Sequence, residues 1–293
     1  MAKTVLGIIG GSGVYDIAGL EHARWDRVVS PWGEPSDSLL FGRLAGVDMI
    51  FLPRHGRGHV HSPTTINYRA NIDALKRAGA TDVISVSACG SFRENLAPGT
   101  FAIVDQFIDR THAREMSFFG KGFVAHVSVA HPVCPKLADA LVEACTEEDI
   151  PHAKGGTYLA MEGLQFSSLA ESNLYRSWGC DVIGMTAMPE AKLAREAELP
   201  YALVAMVTDY DCWHPDHDHV TVDQVVKILT ANADNARRLV ARAAPKLGPE
   251  RTPSPLGVEH VLDTAVITSY DKRDPALFDK LDAVAGRILR KKY

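Results

Sequence analysis

The sequence predicts an α/β fold, with a mostly parallel β-sheet covered by helices on both faces. Short apolar runs rich in β-branched residues, such as VISVSA and YALVAMVT, recur along the chain. Near-continuous apolarity of this kind is typical of strands that are buried on both faces. Segments with apolar residues at helical spacing lie between these runs, and strands that alternate with helices predict parallel pairing.

The individual elements follow from these patterns in chain order. The predicted strands are Val5–Ile9, Val47–Leu52, Asp82–Ala88, Phe101–Phe107, Gly156–Ala160, Asp181–Met185 and Tyr201–Thr208. The predicted helices are Tyr68–Ala78, Lys136–Glu148, Ser168–Trp178, Pro189–Glu198 and Val222–Ala244, with a final helix at about Pro275–Arg290.

The C-terminal part of the chain, residues 248–293, is expected to be an appendage of the main domain. It opens with GPERTPSPLG, whose prolines and polar residues are typical of a linker, and ends with the final predicted helix. So short a segment cannot bury a core of its own. We therefore expect a single domain in which residues 1–247 carry the sheet and residues 248–293 form a linker and a docked helical tail.

Composition and charge exclude several classes of protein. A net charge of −5 gives no reason to expect a nucleic-acid or membrane-surface partner. No apolar run approaches the roughly 20 residues that span a bilayer, and no signal-peptide pattern is visible at the N-terminus. The five cysteines are odd in number and irregularly spaced, which argues against a disulfide framework and a zinc ribbon. We expect a cytoplasmic protein with free thiols.

Glycines and a serine follow the first predicted strand, in the segment GIIGGSG of residues 7–13. Ligands of open parallel sheets bind at the carboxyl ends of strands. Glycines let the backbone turn tightly around an anion there, and Ser12 adds a hydroxyl donor. The spacing departs from both the dinucleotide fingerprint and the P-loop. We favour an oxyanion-binding turn, with a dinucleotide-binding turn and a plain structural turn as alternatives.

Arginines and histidines follow the second predicted strand, in PRHGRGHVHSP of residues 53–63. The rigid guanidinium fork of Arg54 suits phosphate, and His55 beside it supplies a further donor. Zinc ligation by His55, His59 and His61 is an alternative, but no carboxylate lies nearby in sequence to complete the ligand set. The segment predicts a phosphate site, and a solvated basic loop remains the other reading.

Three further strand ends carry residues that suit a ligand. In SVSACGS the hydroxyl of Ser87 and the backbone N–H of Ala88 can face an anion, whereas no feature marks the rival nucleophile Cys89 as activated. In MEGLQFSS and GMTAMPEA, Phe166 can stack on a flat ring and Met185 can pack under a sugar. Both residue types are also common in cores, so a core position is the alternative for each.

Two aspartates and three histidines follow the last predicted strand, in VTDYDCWHPDHDH of residues 207–219. Asp209 and Asp211 are two residues apart, so in extended chain their side chains point to one side. Two carboxyl groups close together in a partly dry site favour a form in which one holds a proton. A protonated Asp209 would donate to N7 of a purine, and an ionised Asp211 would accept from a 6-amino group.

Several motifs in order resemble those of the 5′-methylthioadenosine phosphorylases, in the trimeric branch of the purine nucleoside phosphorylases. The resemblance covers about residues 4–247, and two of its motifs, DQFIDRT and TDYDCW, are particularly specific. Leu164 and Gln165 replace the usual Pro-Arg of that family, and Ser87 stands where threonine is common. The motifs that carry the resemblance are IIGGSG, RHG with NYRANIDALK, SACGS, DQFIDRT, EGLQFSS, GMTAMPEA and TDYDCW.

The resemblance implies a phosphorylase-type fold, a twisted mixed β-sheet flanked by helices, assembled as a homotrimer. It implies phosphorolysis of 5′-methylthioadenosine to adenine and 5-methylthioribose 1-phosphate, without a metal or other cofactor. The residues that it assigns to phosphate are Ser12, Arg54, His55, Ser87, Ala88 and Thr186. Those that it assigns to the nucleoside are Phe166, Ser167, Met185, Asp209, Asp211, Val222 and Val225, with His126 reaching the site of a neighbouring subunit.

The resemblance also gives the histidine segment and the following helix a role. The loop CWHPDHDH resembles a mobile lid over the base, and a metal site is its alternative. Val222 and Val225 would face the 5′ group, where an apolar pocket favours a methylthio group over a hydroxyl. The alternative within this class is a purine nucleoside phosphorylase acting on inosine, guanosine or adenosine. From other classes, an NAD-dependent oxidoreductase and a metal-dependent hydrolase remain.

Overall fold

The computed structural model describes residues 3–11, 13–215 and 222–289, and it leaves out the side chains of residues 222–227 and 229. Its strands are β1 (Val5–Gly10), β2 (Glu21–Asp26), β3 (Leu39–Leu44), β4 (Val47–Pro53), β5 (Asp82–Ser91), β6 (Phe101–Val104), β7 (Gln106–Asp109), β8 (His152–Lys154), β9 (Thr157–Ala160), β10 (Val182–Gly184) and β11 (Tyr201–Asp209). Its α-helices are α1 (Tyr68–Arg77), α2 (Pro135–Glu147), α3 (Leu169–Ser177), α4 (Glu190–Glu196), α5 (Val222–Leu247) and α6 (Phe278–Leu289).

The described strands form one mixed sheet. Its main path runs β2-β3-β4-β1-β5-β10-β9-β7, while β11 pairs with β5 and β6, and β8 pairs with β6. The central strands β4, β1, β5 and β11 are parallel, whereas β10 runs antiparallel to β5 and β6 antiparallel to β11. The expected α/β class and mixed sheet are confirmed, with antiparallel pairs at both flanks.

Alternation along the central strands explains the two cores. Successive residues of β11 point to opposite faces, so Leu203 joins one apolar cluster and Val204 joins the other. The first cluster includes residues of α1, α4 and α6, and the second includes residues of α2 and α5. A strand covered on both faces needs apolar residues at every position, which is why YALVAMVT lacks a polar/apolar period.

The structure adds three strands to those expected from the sequence. The edge strand β2 has the sequence EHARWD and is exposed along its whole length, so it carries no apolar signal. Strands β3 and β8 were also not expected. The single strand predicted at Phe101–Phe107 is divided at Asp105: β6 pairs with β11 and β8, and β7 pairs with β9.

The C-terminal tail packs into the main core. Short 3₁₀ helices at Val258–Asp263, Tyr270–Lys272 and Pro275–Leu277 precede α6, which packs on α1. Apolar tail residues share the first core cluster with α1 and α4, as a docked tail requires. The boundary between residues 247 and 248 stays a prediction. Among the described helices, none combines the length and apolar character that a membrane span requires.

Candidate active site

A gap in the pairing of one edge of β5 opens into a pocket. On one side, β1 pairs with β5 as far as Ser85, and β10 begins to pair with it at Gly90. Between these points the strand turns Ser87, Ala88 and Cys89 toward a cavity of about 660 Å³, which includes its open mouth. That size is typical of small-molecule sites. The sheet therefore builds the pocket by leaving one edge of β5 unpaired between Ser85 and Gly90, while its other edge pairs with β11.

Eight of the residues expected from the sequence line this one pocket. They come from five separated segments of the chain, so the fold brings together what the sequence motifs only suggested. These residues are His55, Ser87, Ala88, Phe166, Met185, Thr186, Asp209 and Asp211. The lining residues that sequence reasoning had not assigned are Pro63, Cys89, Gly90, Met161, Ile183, Gly184 and Thr208.

Two buried hydroxyl groups meet on one side of the pocket. The Oγ of Ser87 lies 2.9 Å from the Oγ1 of Thr186. Both side chains are buried, and they reach the same point because the chain after β10 runs antiparallel alongside β5. Hydroxyl groups can donate to an anion, so this side of the pocket suits the predicted phosphate.

Arg54 lies behind this side of the pocket in a buried network. Its Nε and Nη2 donate to the carboxylate of Glu190, at 2.8 and 3.2 Å. Further bonds join Nη1 to the carbonyl of Val86 (3.0 Å) and Nη2 to the Oγ of Ser85 (2.5 Å). A guanidinium has five N–H donors, so among the described residues these bonds leave one Nη1 hydrogen for a ligand. Sequence reasoning missed Glu190, although a lone acid in the apolar segment AMPEAKLA was a signal.

His55 is held in one neutral tautomer. Its Nδ1 lies 2.8 Å from the carbonyl oxygen of His61, and because a carbonyl can only accept, Nδ1 carries the hydrogen. Burial, followed by the positive charge of Arg54, lowers the pKa of His55 to about 4. Its Nε2 is therefore a hydrogen-bond acceptor near neutral pH. Donation by His55 to phosphate stays a prediction, and in this tautomer the side chain offers Nε2 as an acceptor.

Asp209 and Asp211, the acid pair, line the other side of the pocket. The Oδ1 of Asp209 accepts the backbone N–H of Asp211 (2.8 Å), and its Oδ2 lies 2.7 Å from the hydroxyl oxygen of Thr208. Burial raises the pKa of both carboxyl groups. No cationic side chain within the described ranges forms an ion pair with either one. The acid pair is thus placed to exchange a proton with a ligand.

The positions of Phe166, Met185 and Cys89 decide between the alternatives that the sequence left open for these residues. Phe166 is 47% exposed, which excludes a core position for it, and Met185 is partly buried in the pocket lining. Ser167 is buried, and its carbonyl accepts from the thiol of Cys212 (3.4 Å). Burial and the charge of Asp209 raise the pKa of the Cys89 thiol well above its usual value. Cys89 is therefore not an activated nucleophile.

A second polar cluster, here called the Arg114 cluster, consists of the buried Tyr68 and Arg114 with the partly buried Thr64 and Glu162. Glu162 accepts four hydrogen bonds: from Thr64 Oγ1 (2.6 Å), the N–H groups of His112 (2.7 Å) and Ala113 (3.1 Å), and Arg114 Nε (3.1 Å). Burial acts to raise the pKa of Glu162, but these bonds outweigh it and lower the pKa to about 2. Glu162 is therefore ionised at every physiological pH.

Arg114 connects this cluster to the pocket wall. Its Nη1 donates to Tyr68 Oη (3.1 Å) and to the carbonyl oxygens of Met185 and Met188 (2.6 Å each). These bonds fix the backbone on both sides of Thr186. This role of Arg114 could not be predicted from local patterns, because its partners are distant along the chain.

Gly184 allows two walls of the pocket to approach closely. A Cβ at this position would lie 1.9 Å from the hydroxyl oxygen of Tyr158 and 3.3 Å from the carbonyl oxygen of Ala88. Tyr158 is fully buried and cannot swing into solvent. A side chain at residue 184 would therefore push β10 away from β9 and β5.

Some predicted residues lie outside this pocket or outside the description. Ser12 is not among the described residues, and neither are the side chains of Val222 and Val225, which begin α5. His126 is exposed, binds the carbonyl of Ala265 through its backbone N–H (2.9 Å), and does not line the pocket of its own chain. Across the described ranges, no three His, Cys, Asp or Glu side chains are arranged to hold a metal. Part of the histidine loop, residues 216–219, lies beyond those ranges.

Comparison with known proteins identifies relatives over nearly the whole chain. Residues 5–245 match the Phosphorylase superfamily. The S-methyl-5′-thioadenosine phosphorylase of Rhodospirillum rubrum is 65% identical over 98% of each chain, and that of Bradyrhizobium diazoefficiens is 62% identical over 99% of this chain and 100% of its own.

Solved structures that are similar to this chain include proteins of the same name as these relatives. A methylthioadenosine phosphorylase from an antarctic soil metagenomic library superposes with a TM-score of 0.90 at 44% identity, covering 96% of this chain and 98% of its own. Methylthioadenosine phosphorylase from Schistosoma mansoni in complex with adenine gives a TM-score of 0.82 at 34% identity, covering 89% and 99%. The chain belongs to the phosphorylase superfamily and, within it, to the S-methyl-5′-thioadenosine phosphorylase family.

Proposed function

We propose that this protein cleaves 5′-methylthioadenosine with inorganic phosphate, giving adenine and 5-methylthioribose 1-phosphate. The observation that carries the proposal is the division of one pocket into two chemical halves. Ser87 and Thr186 offer hydroxyl donors on one side, and on the other side lies the acid pair, to which no cationic side chain of the described residues is paired. Relatives named for this activity at 62–65% identity support the same substrate.

Phosphate is the nucleophile in this mechanism. An oxygen of the phosphate attacks the anomeric carbon of the ribose while the bond from that carbon to N9 of the purine breaks. Positioning and electrostatics supply much of the rate, because the phosphate approaches a sugar that becomes positive in the transition state. Ser12, Arg54, Ser87, Ala88 and Thr186 hold the phosphate, and no metal or other cofactor takes part.

The acid pair handles the leaving purine. Asp209 gives a proton to N7, so that adenine leaves without a full negative charge, and its raised pKa suits this acid role. Ionised Asp211 accepts from the 6-amino group, which favours adenine over 6-oxo purines. Phe166, Ser167 and Met185 contact the base and ribose.

In its neutral tautomer, the His55 side chain acts as a hydrogen-bond acceptor toward the substrates. Its Nε2 accepts a hydrogen bond near neutral pH, so it suits a hydroxyl of the ribose or of a singly protonated phosphate. Val222 and Val225 form the apolar contact for the methylthio group.

We further propose a homotrimer, in which His126 reaches the active site of a neighbouring subunit. The exposed position of His126, outside the pocket of its own chain, agrees with this role. A cytoplasmic location suits the five free cysteines, since disulfides are rare in reducing compartments. Nucleic acid and membranes are not expected partners.

The first experiment is a measurement of adenine release from 5′-methylthioadenosine with and without phosphate, alongside inosine and adenosine. We expect phosphate-dependent cleavage, with 5′-methylthioadenosine far above the other two nucleosides. Release without phosphate would mean a hydrolase. Preference for inosine would favour a purine nucleoside phosphorylase and contradict the role given to Asp211.

A further inference from the structure

Thr208 occupies an irregular position beside the acid pair. In the pairing of β11 with β5, Val207 lies opposite Cys89 and Asp209 lies opposite Gly90, so Thr208 has no partner residue. This extra residue is a β-bulge, which re-aims the side chains next to it. The Thr208 side chain is 2% exposed and lines the pocket. The bulge thus brings a buried hydroxyl against the carboxyl group of Asp209.

The hydroxyl of Thr208 has two acceptors and a single hydrogen. Its Oγ1 lies 2.7 Å from the Oδ2 of Asp209 and 3.1 Å from the carbonyl oxygen of Cys89. A carbonyl can only accept, so the hydrogen points either to Cys89 or to Asp209. An ionised Asp209 attracts the hydrogen more strongly, because charge-assisted hydrogen bonds are about twice as strong as neutral ones.

We propose that Thr208 is a positioning residue for the reaction, whose hydroxyl hydrogen turns from the carbonyl of Cys89 to the Oδ2 of Asp209 as Asp209 gives up its proton. This inference rests on the proposed function. In that reaction a phosphate oxygen bonds to the anomeric carbon, and the electron pair of the broken bond to N9 stays with the purine. The O–H bond of Asp209 breaks as the N7–H bond forms, which leaves a negative charge on Asp209.

No other described group near Asp209 can turn a hydrogen toward its carboxylate as the charge forms. The backbone N–H of Asp211 points at Oδ1 and has no alternative acceptor to which it could turn. The carboxyl group of Asp211 and the buried thiol of Cys89 face Asp209 as acids, and Glu171 of α3 acts on Asp211. His55 faces the same pocket and is neutral near pH 7. Among the described side chains, Thr208 is therefore the donor that can follow the charge.

The test compares Thr208→Val with Thr208→Ser. Valine keeps the shape and removes the hydroxyl, whereas serine keeps the hydroxyl. The readout is kcat for 5′-methylthioadenosine at saturating phosphate, measured from acid to alkaline pH. Asp209 acts in its protonated form, so kcat falls as the pH rises through the pKa of Asp209.

Without the Thr208 hydroxyl, the Asp209 carboxylate is less stable and the group holds its proton to higher pH. In the plot of kcat against pH, we expect Thr208→Val to move the fall at alkaline pH to higher pH by about one unit. It should also lower the maximal kcat about tenfold. Thr208→Ser should restore both the position of this fall and the maximal kcat.

Thr4→Val is the matched control. Thr4 is also buried, its hydroxyl has no hydrogen-bond partner in the described structure, and it lies at the opposite end of β1 from the pocket. This variant should leave the pH profile unchanged.

A Thr208→Val enzyme whose fall at alkaline pH coincides with that of the wild type would overturn the proposal, whatever its maximal kcat, because a packing role lowers activity without moving this fall. An equal shift in Thr208→Ser would overturn it as well. If the wild type itself shows no phosphate-dependent cleavage, the proposed function fails instead. An active wild type with an unshifted Thr208→Val ends the Thr208 proposal alone.

Discussion

The acid pair and the Arg114 cluster both hold largely buried carboxyl groups, and their surroundings shift the pKa values of these groups in opposite directions. Glu162 receives four hydrogen bonds, one of them from Arg114, and its pKa falls to about 2 despite burial. Asp209 and Asp211 have no described cationic partner, and burial raises their pKa values. The difference teaches that a carboxylate with a structural role is surrounded by hydrogen-bond donors, which keep it ionised. A carboxyl group that transfers a proton has fewer such donors.

Asp209→Asn gives the largest expected effect and tests the reactive half of the comparison. An amide cannot donate an acidic proton to N7, so we expect kcat for 5′-methylthioadenosine to fall by about 10²–10⁴-fold. The free energy of unfolding should change by less than about 1 kcal/mol, because no described ion pair is lost. Adenine release and urea unfolding measure the two quantities. Near-normal turnover would remove the acid role from Asp209.

Glu162→Gln tests the structural half. Breaking the buried pair with Arg114 should lower the free energy of unfolding by about 3 kcal/mol at neutral pH. Because folding lowers the pKa of Glu162, its stabilisation is fully present above its ordinary pKa of 4.5 and is lost as the pH falls toward about 2. Thermal unfolding at several pH values should show the two proteins converging in acid. A constant difference would contradict the assignment of the stabilisation to this carboxylate.

Asp211→Asn gives the smallest expected effect and separates the two members of the acid pair. Its amide can donate to a 6-oxo group, which the ionised carboxylate cannot. We expect the ratio of kcat/KM for 6-oxo over 6-amino nucleosides to rise by about tenfold. An unchanged ratio would argue against a reading role for Asp211, while leaving the acid role of Asp209 untouched.

Much of the fold could be predicted because buried strands carry a local signal. The continuous apolarity of β1, β4, β5 and β11 marked each of them in the sequence. The edge strand β2 carried no such signal, because its residues face solvent and its pairing with β3 depends on the backbone. The reversal of β10 against β5 was not visible either, since pairing direction depends on the path of the connecting chain.

The site was predictable where the residue type itself determines the chemistry. Asp209, Asp211 and the hydroxyl groups lie in or just after strands in recognisable motifs, and the structure places them in one pocket. The charge of Arg54 was predictable. Its hydrogen bond to Glu190 was not, because Glu190 lies 136 residues away along the chain. Thr208 was also missed, because a bulge depends on the register between two strands rather than on the local sequence.

The close contact at Gly184 limits how this pocket can evolve. Any substitution there displaces Tyr158 or the backbone of β5, so the position should stay glycine in a saturation library selected for activity on new nucleosides. Met161 and Ile183 also line the pocket but have side chains that can be exchanged for others of similar volume. New substrate preferences should therefore arise from substitutions at Met161 and Ile183. Gly184 takes no part in the reaction, but its close contacts prevent substitution there.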